Sequence, residues 1–250
     1  MDDLILETQG LTKEFRGFTA VQGVGLKVRR GSIHALIGPN GAGKTTVFNL
    51  LTKFLEPTRG RILYNGRDIT GEPPSAVARL GLVRSFQISA VFAHLSVRDN
   101  VRVALQRRLG NSFHFWRSQR VLDKLNDRAF ELLGAVGLGD FAATLAAELP
   151  YGRKRALEVA TTLALDPELM LLDEPTSGLG QEDIGRVSAL IRAAARERTV
   201  LMVEHNLSVV ADLSHTITVL TRGTVLAEGD YAAVSANPEV VEAYMGVGHA

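Results

Sequence analysis

Residues 32–50 read SIHALIGPNGAGKTTVFNL and decide the fold. The apolar run from Ser32 to Ile37 predicts a buried β-strand, and Thr45 to Phe54 predicts a helix. Between them, Gly38-Pro39-Asn40-Gly41-Ala42-Gly43-Lys44-Thr45 matches G-x-x-x-x-G-K-[ST] in the strand–loop–helix context that this pattern requires. Such a loop points main-chain N–H groups at phosphate oxygens, and the following helix adds the positive end of its dipole. The stretch therefore predicts a nucleotide-phosphate site.

Three side chains at the end of this loop have chemistry that suits a nucleoside triphosphate. Lys44 is expected to bridge the β- and γ-phosphates as a point charge, and Thr46 to lie near the α-phosphate. The Thr45 hydroxyl suits Mg²⁺, a hard cation that takes oxygen ligands and usually keeps several waters. ATP and Mg²⁺ are therefore the expected cofactors.

Two carboxylates end a second apolar run, Leu169-Met170-Leu171-Leu172-Asp173-Glu174. The carboxyl edge of an α/β sheet is where ligands bind. Asp173 is expected to hold Mg²⁺ through a water, and Glu174 to orient and deprotonate the attacking water. An acidic pair alone also fits a helix cap or a solvated turn, and only the upstream phosphate loop favours catalysis.

Strand-like and helical stretches alternate along the rest of the chain, which predicts an α/β fold. We expect a P-loop NTPase core of mainly parallel sheet, an N-terminal antiparallel β layer and an inserted helical subdomain at about 90–163, all within one domain, 1–250. The supporting segments are the strand 61–64 with its Asn65-Gly66 turn, the helical region 97–165, the crossover helix 182–196, the strand 199–203, and a hairpin of 216–220 and 224–227.

The composition limits the partners and the compartment. The chain has 28 basic and 27 acidic residues, so no net field selects nucleic acid. The absence of Cys excludes disulfides and thiolate metal sites and fits a reducing cytoplasm. The start is acidic where a signal peptide is basic, and no apolar run approaches the ~18 residues of a membrane span.

Further segments in the same order resemble the motifs of the ABC ATPases. Leu149-Pro150-Tyr151-Gly152-Arg153 opens a helix just before the acidic pair and resembles the signature motif, LSGGQ in its common form. The other resemblances are Thr12 to Phe15 to the adenine-stacking loop, Ser85-Phe86-Gln87 to the Q-loop, Ser177-Gly178-Leu179 to the D-loop, and His205 to the switch histidine.

The resemblance implies a role for each matching residue. Phe15 would stack on adenine, Gln87 would ligate Mg²⁺ and hold the attacking water, and His205 would donate to the γ-phosphate. The signature, Leu149 to Arg153, would contact the ATP of an opposite subunit. Taken singly, such residues also fit a core Phe, a surface Gln and a structural His.

The signature departs from the family pattern. Pro150 stands where the family has a serine whose hydroxyl reaches the γ-phosphate, Arg153 stands where Gln is usual, and Gly180 replaces the frequent D-loop aspartate. One hydrogen-bond donor is therefore missing from one composite site, at a cost of roughly 1–3 kcal/mol. The second ATPase subunit can be an identical copy, but these changes favour a heterodimer with one weaker site.

Leu-Pro-Tyr-Gly, Arg84-Ser85-Phe86-Gln87 and the segment 237–246 together resemble one subgroup, the ATPase subunits of branched-chain amino acid importers. That resemblance implies membrane permease partners, an indirect solute-binding protein, and a cytoplasmic location on the inner face of the membrane. Urea or aromatic acid uptake, lipopolysaccharide export, and a soluble ABC ATPase stay open as alternatives. A GTPase or small-molecule kinase would leave the motifs unexplained, and no Asn-Lys-x-Asp motif is present.

A basic and aromatic patch lies between 107 and 120. It could contact the bilayer or a membrane partner, or it could pack on its own subdomain with its arginines in water. Its members are Arg107, Arg108, Phe113, Phe115, Trp116, Arg117 and Arg120.

Overall fold

The computed structural model describes residues 3–85, 91–107 and 123–245. The chain divides into two units, and the first of them contains two β-sheets. This sheet unit comprises Met1–Arg84, Glu168–Pro175 and Ala195–Ala250, and the helical unit comprises Ser85–Pro167 and Thr176–Ala194. The strands are β1 (Leu4–Phe15), β2 (Phe18–Val24), β3 (Lys27–Arg29), β4 (Ile33–Ile37), β5 (Arg59–Tyr64), β6 (Arg67–Asp68), β7 (Leu82–Ser85), β8 (Leu169–Asp173), β9 (Thr199–Val203), β10 (Thr216–Thr221) and β11 (Thr224–Gly229).

The two sheets differ in strand direction. One has the order β2-β1-β5-β6 with β3 also paired to β1, and its pairs are antiparallel. The other has the order β11-β10-β4-β9-β8-β7, and β10, β4, β9 and β8 run parallel. The predicted antiparallel layer and mainly parallel core are both confirmed.

Tight turns form where the sequence predicts them. Asn65 and Gly66 both have positive φ, 51° and 74°, between β5 and β6. Arg222 and Gly223 have φ of 47° and 81° between β10 and β11. Two successive left-handed residues match the right-handed twist of the flanking strands, so each pair closes a hairpin.

The core of the sheet unit contains side chains from both sheets and from the helix that follows β4. Every residue of β4, β8 and β9 is buried, as expected of parallel strands covered on both faces. Phe48 on that helix is fully buried in the same cluster and contributes about 1.5–3 kcal/mol. The core thus fixes the strand ends and the helix start around the phosphate loop. The helices of the sheet unit are α1 (Lys44–Leu51), α2 (Pro74–Arg79), α7 (Leu207–Leu213), α8 (Tyr231–Ser235) and α9 (Pro238–Met245).

The helical unit extends beyond the predicted insertion at about 90–163. Its helices are α3 (Val97–Gln106), α4 (Asn126–Ala135), α5 (Tyr151–Ala164) and α6 (Gln181–Ala194). The α6 helix is the predicted crossover between β8 and β9, yet it groups with this unit because it packs on α5 and buries Val187 and Ile191. At the start of α3, Asp99 N–H donates to the Ser96 hydroxyl at 3.0 Å, a side-chain cap worth about 1 kcal/mol.

Candidate functional site

The phosphate loop requires glycine at two positions of close approach. Gly38 has φ 149°, and a Cβ there would lie 2.1 Å from the carbonyl oxygen of Leu220. Gly43 has φ 101°, and a Cβ there would lie 2.7 Å from the carbonyl oxygen of Ala20. Both spacings are shorter than any ordinary carbon–oxygen contact, so the two glycines of the motif are a packing requirement.

Main-chain hydrogen bonds fasten the loop to two neighbouring segments. Ala42 N–H donates to the Pro39 carbonyl at 3.2 Å, and the Ala42 carbonyl accepts from Gly223 N–H at 3.0 Å. Gln22 N–H in turn donates to the Gly223 carbonyl at 2.8 Å. The loop is therefore anchored to the β10–β11 turn and, through that turn, to β2.

The β1–β2 hairpin presents aromatic rings beside this anchored loop. Phe15 and Phe18 pair across the end of the hairpin, and both side chains are exposed, Phe15 at 41 %. The Lys13 ammonium lies 5.1 Å from the centre of the Phe15 ring. An exposed ring on this hairpin, whose second strand is hydrogen-bonded to the β10–β11 turn, offers a flat face to an adenine base.

Lys44 is held by the loop itself. Its ammonium donates to the carbonyl oxygens of Gly38 at 2.6 Å and Pro39 at 3.0 Å. Burial lowers the pKa of Lys44, and the carboxylates of Glu174 and Asp173 oppose that shift. Thr45 is exposed and Thr46 is half-buried on the first turn of α1, so the Thr45 hydroxyl is open to a ligand.

The acidic pair ends β8 at the same sheet edge as the loop. Because β4, β9 and β8 are parallel neighbours, residues that follow them meet at one edge. Asp173 is 2 % exposed, and Glu174 next to it has φ 46°, an unusual conformation for a non-glycine residue. Glu174 N–H donates to the Val203 carbonyl at 2.9 Å, and His205 Nδ1 lies 4.0 Å from Glu174 Oε2. The structure thus brings together the phosphate loop, the Asp173-Glu174 pair and His205.

Sequence reasoning missed the support behind His205. The Glu204 carboxylate is fully buried, and its Oε2 accepts from the main-chain N–H of His205 at 3.0 Å and of Asn206 at 3.1 Å. Asn206 then caps α7 by accepting from Ser208 N–H at 3.1 Å. The sequence signal was an acid directly after a buried strand, the same signal that identified Asp173.

The sequence predicts no role for Arg84 beyond its place in the Arg84-Ser85-Phe86-Gln87 segment, yet the Arg84 side chain contacts Asp173. Its Nη2 donates to Asp173 Oδ2, and its Nη1 donates to Asn49 Oδ1 at 2.6 Å. The two ion-pair side chains are 8 % and 2 % exposed, and the guanidinium carbon lies 5.6 Å from the centre of the Phe48 ring. The acid predicted to face Mg²⁺ therefore also has a protein partner.

The signature segment lies in the helical unit at the start of α5. Pro150 occupies the N-cap position with φ −56° and ψ 155° and supplies no side-chain cap, while Leu149 before it is buried. The guanidinium carbon of Arg153 lies 3.9 Å from the centre of the Phe141 ring. The arginine that stands in place of the family's Gln therefore makes a cation–π contact within this unit. Tyr151 is 48 % exposed, and its hydroxyl accepts from Arg155 at 3.1 Å.

Gly152 is buried under the N-terminus of α6. A Cβ on Gly152 would lie 2.3 Å from the carboxyl carbon of Asp183, whose Oδ1 accepts from Arg186 at 2.9 Å. Gly178 of the D-loop segment has φ 73°, and a Cβ there would lie 3.5 Å from the Tyr151 ring. A side chain at Gly152 would therefore displace the Asp183 carboxylate, the flexible end of a side chain at the start of α6.

The available donors fit a magnesium ion that is shared with phosphate. Thr45 and Asp173 both provide oxygen, the ligand atom that Mg²⁺ prefers, and two such ligands suit an ion that also contacts substrate phosphates. Within 3–85, 91–107 and 123–245, no group of three or more His, Asp or Glu could hold a metal alone.

Gln87 and the patch residues from Arg108 to Arg120 lie outside the described residues. No helix of the described ranges is long and apolar enough to cross a bilayer.

Comparison with known proteins agrees with this geometry. The family described as "ABC transporter" matches residues 21–177, and the family described as "Branched-chain amino acid ATP-binding cassette transporter" matches residues 224–250. The chain is 40 % identical to the high-affinity branched-chain amino acid transport ATP-binding protein BraF of Pseudomonas aeruginosa, over 97 % of this chain and 98 % of BraF. It is 37 % identical to the corresponding protein LivG of Escherichia coli K12, over 98 % and 99 % of the two chains.

Two solved structures have the same fold. One is a nucleotide-free ATP-binding cassette of an ABC transporter, with TM-score 0.84, 27 % identity, and coverage of 96 % of this chain and 98 % of that one. The other is the ADP conformation of the cassette MJ1267, with TM-score 0.84, 28 % identity, and coverage of 97 % and 99 %. On its loop, its motif order and these relatives, the chain belongs to the ABC transporter family, among the ATP-binding proteins of that family.

Proposed function

We propose that this chain is the ATP-binding and ATP-hydrolysing subunit of an importer of branched-chain amino acids. The observation that carries the proposal is the pairing of a complete phosphate loop with a C-terminal segment, 224–250, that matches the branched-chain amino acid family. The names of BraF and LivG, which align with the chain from end to end, support the same solute class.

ATP binding uses surfaces that are already in place. Adenine stacks on Phe15, a contact worth about 1 kcal/mol beyond its buried area. The phosphates lie in the loop from Gly38 to Thr45, where main-chain N–H groups and the start of α1 face the negative charge. Lys44 exchanges its carbonyl partners for β- and γ-phosphate oxygens, and Thr46 lies near the α-phosphate.

Hydrolysis is assigned to the acid and histidine at the end of the parallel strands. Glu174 acts as the general base toward the attacking water, a contribution of roughly 10²–10⁴-fold in rate. His205, 4.0 Å from that carboxylate, donates to the γ-phosphate, and Gln87 helps to hold the water. Thr45, Asp173 and Gln87 are assigned to Mg²⁺, which when bound neutralises charge on the transferring phosphoryl group.

Dimerisation follows from the family, and we propose that the partner is a different ATPase chain. Pro150 provides no hydroxyl at the N-cap of α5, and Arg153 is engaged by Phe141. The signature from Leu149 to Arg153 would then form the weaker of two composite sites. We also propose that 1–250 is a single ATPase domain, because the ABC transporter match at 21–177 includes residues of both units.

The other partners are membrane permease subunits and, through them, a solute-binding protein. We place the chain in the cytoplasm, on the inner face of the membrane, because ATP is supplied there. The nearly equal numbers of acidic and basic residues give no basis for nucleic-acid binding.

Reconstitution into vesicles tests this proposal. The complex of this chain with its membrane subunits and second ATPase should take up leucine, isoleucine or valine only with ATP on the side of the ATPase. Glu174→Gln should bind ATP and stop uptake, whereas Arg67→Gln, a surface change on β6 at a residue paired with Glu72, should leave uptake intact. ATP-driven uptake of urea with none of leucine would show that the solute assignment is wrong, and hydrolysis by Glu174→Gln at the parental rate would show that the base assignment is wrong.

A further inference from the structure

Arg84 bridges two segments that both contribute to the proposed magnesium site. Its Nη2 donates to Asp173 at the end of β8, and its Nη1 donates to Asn49 on α1 at 2.6 Å. Asn49 is four residues after Thr45, so the two lie one turn apart on the same side of α1. The guanidinium group thus connects the helix of one proposed magnesium ligand to the carboxylate of the other.

The surroundings of Arg84 favour a single fixed orientation. Its side chain is 8 % exposed and lies over the Phe48 ring, which is itself fully buried. Guanidinium is planar, and its fork directs two N–H groups in fixed directions. A buried fork with one partner on each segment holds those segments at a defined separation.

We propose that Arg84 is a positioning residue for the magnesium nucleotide, because it fixes the Asp173 carboxylate relative to the helix that carries Thr45. This inference rests on the proposed assignment of Mg²⁺ to Thr45 and Asp173. Mg²⁺ demands near-ideal octahedral geometry, so a displaced oxygen donor weakens its binding. Residues that orient metal ligands typically change metal affinity about 10–100-fold when they are replaced.

The informative variant is Arg84→Lys, because lysine keeps a positive charge beside Asp173 but has no fork to reach Asn49 as well. Asn49→Ala is the second variant; it leaves the ion pair intact and removes the other arm. Arg30→Lys is the matched control, since Arg30 is a surface residue of the same unit whose guanidinium also connects separate segments, through Asp3, Asn65 and Glu168.

The measurement is ADP binding by calorimetry on the full chain, in EDTA and over a magnesium titration. Arg84→Lys should raise the magnesium concentration for half-maximal tightening about tenfold and leave the affinity in EDTA unchanged. Asn49→Ala should shift it in the same direction by less, and Arg30→Lys should not shift it. An unchanged or lower magnesium requirement in both site variants would overturn the inference, and so would an equal loss of affinity with and without magnesium.

Asp173→Asn separates this inference from the assignment on which it rests. If Asp173→Asn raises the magnesium requirement and the Arg84 and Asn49 variants do not, the metal site stands and the positioning role is wrong. If Asp173→Asn leaves the requirement unchanged, the magnesium assignment itself is wrong, and the inference is overturned with it. If Arg84→Lys does not fold, Asn49→Ala decides alone.

Discussion

Glu174 is held in the left-handed region at φ 46°, and this conformation has a measurable cost. A non-glycine residue there loses about 1–2 kcal/mol relative to its preferred regions. Glu174→Ala and Glu174→Gly both remove the carboxylate, so they differ only in the methyl group that makes this φ unfavourable. The pair therefore isolates the backbone strain from the contacts of the side chain.

The expected difference can be worked from the two opposing effects. Glycine relieves about 1–2 kcal/mol of strain in the folded chain. The greater conformational freedom of glycine in the unfolded chain lowers the free energy of unfolding by about 0.4–1 kcal/mol. With the middle of each range, the Gly variant should be more stable than the Ala variant by about 0.8 kcal/mol, or roughly 2–3 °C in Tm for a chain of this size.

Urea unfolding of both variants provides the test, with Arg222→Gly and Arg222→Ala as the reference pair because Arg222 has φ 47° in the turn between β10 and β11. The same sign and similar size are expected at both positions. Equal stability of the two Glu174 variants, with a clear difference at Arg222, would refute the idea that the backbone at Glu174 is strained. A confirmed difference would show that the backbone at Glu174 is strained in the folded chain.

Three further predictions concern other positions. Lys44→Ala should weaken ATP binding at least tenfold in calorimetry, because no other cation lies in the loop's motif; unchanged affinity would contradict the loop assignment. Burial lowers the pKa of His34 to about 4, so between pH 6.5 and about 4 only the unfolded chain takes up a proton at this residue. The free energy of unfolding should therefore fall on acidification through this range, by up to ~1.4 kcal/mol per pH unit. In His34→Gln it should fall less steeply. Pro150→Ser should add a cap to α5 worth about 0.5–1 kcal/mol and raise turnover in the mixed dimer; a loss of both would contradict the interpretation of the signature.

Most of the fold could be predicted from the sequence because the deciding signals are local. The pattern of an apolar run, a glycine-rich turn and a helical stretch predicted β4, the phosphate loop and α1. Turn dipeptides such as Asn65-Gly66 predicted the hairpins, and both residues of that pair have positive φ. The grouping of α6 with the helical unit was not predicted, because which neighbour a crossover helix packs on depends on tertiary contacts.

Within the candidate site, the sequence identified the residues that we assign to the ligand and missed those whose contacts are with other residues. Lys44, Asp173 and Glu174 belong to recognisable patterns, whereas Arg84 and Glu204 are ordinary charged residues until their partners are known. The bond from Arg84 to Asp173 joins positions far apart in the chain, and no spacing rule predicts it. The Arg153 to Phe141 contact likewise explains a departure from the family pattern only once both side chains are placed.

The carbonyl groups of Gly38 and Pro39 keep the Lys44 ammonium out of bulk water before a nucleotide arrives. The cost of removing this cation from solvent is therefore met during folding, and an incoming triphosphate needs only to replace two neutral dipoles with stronger anionic acceptors.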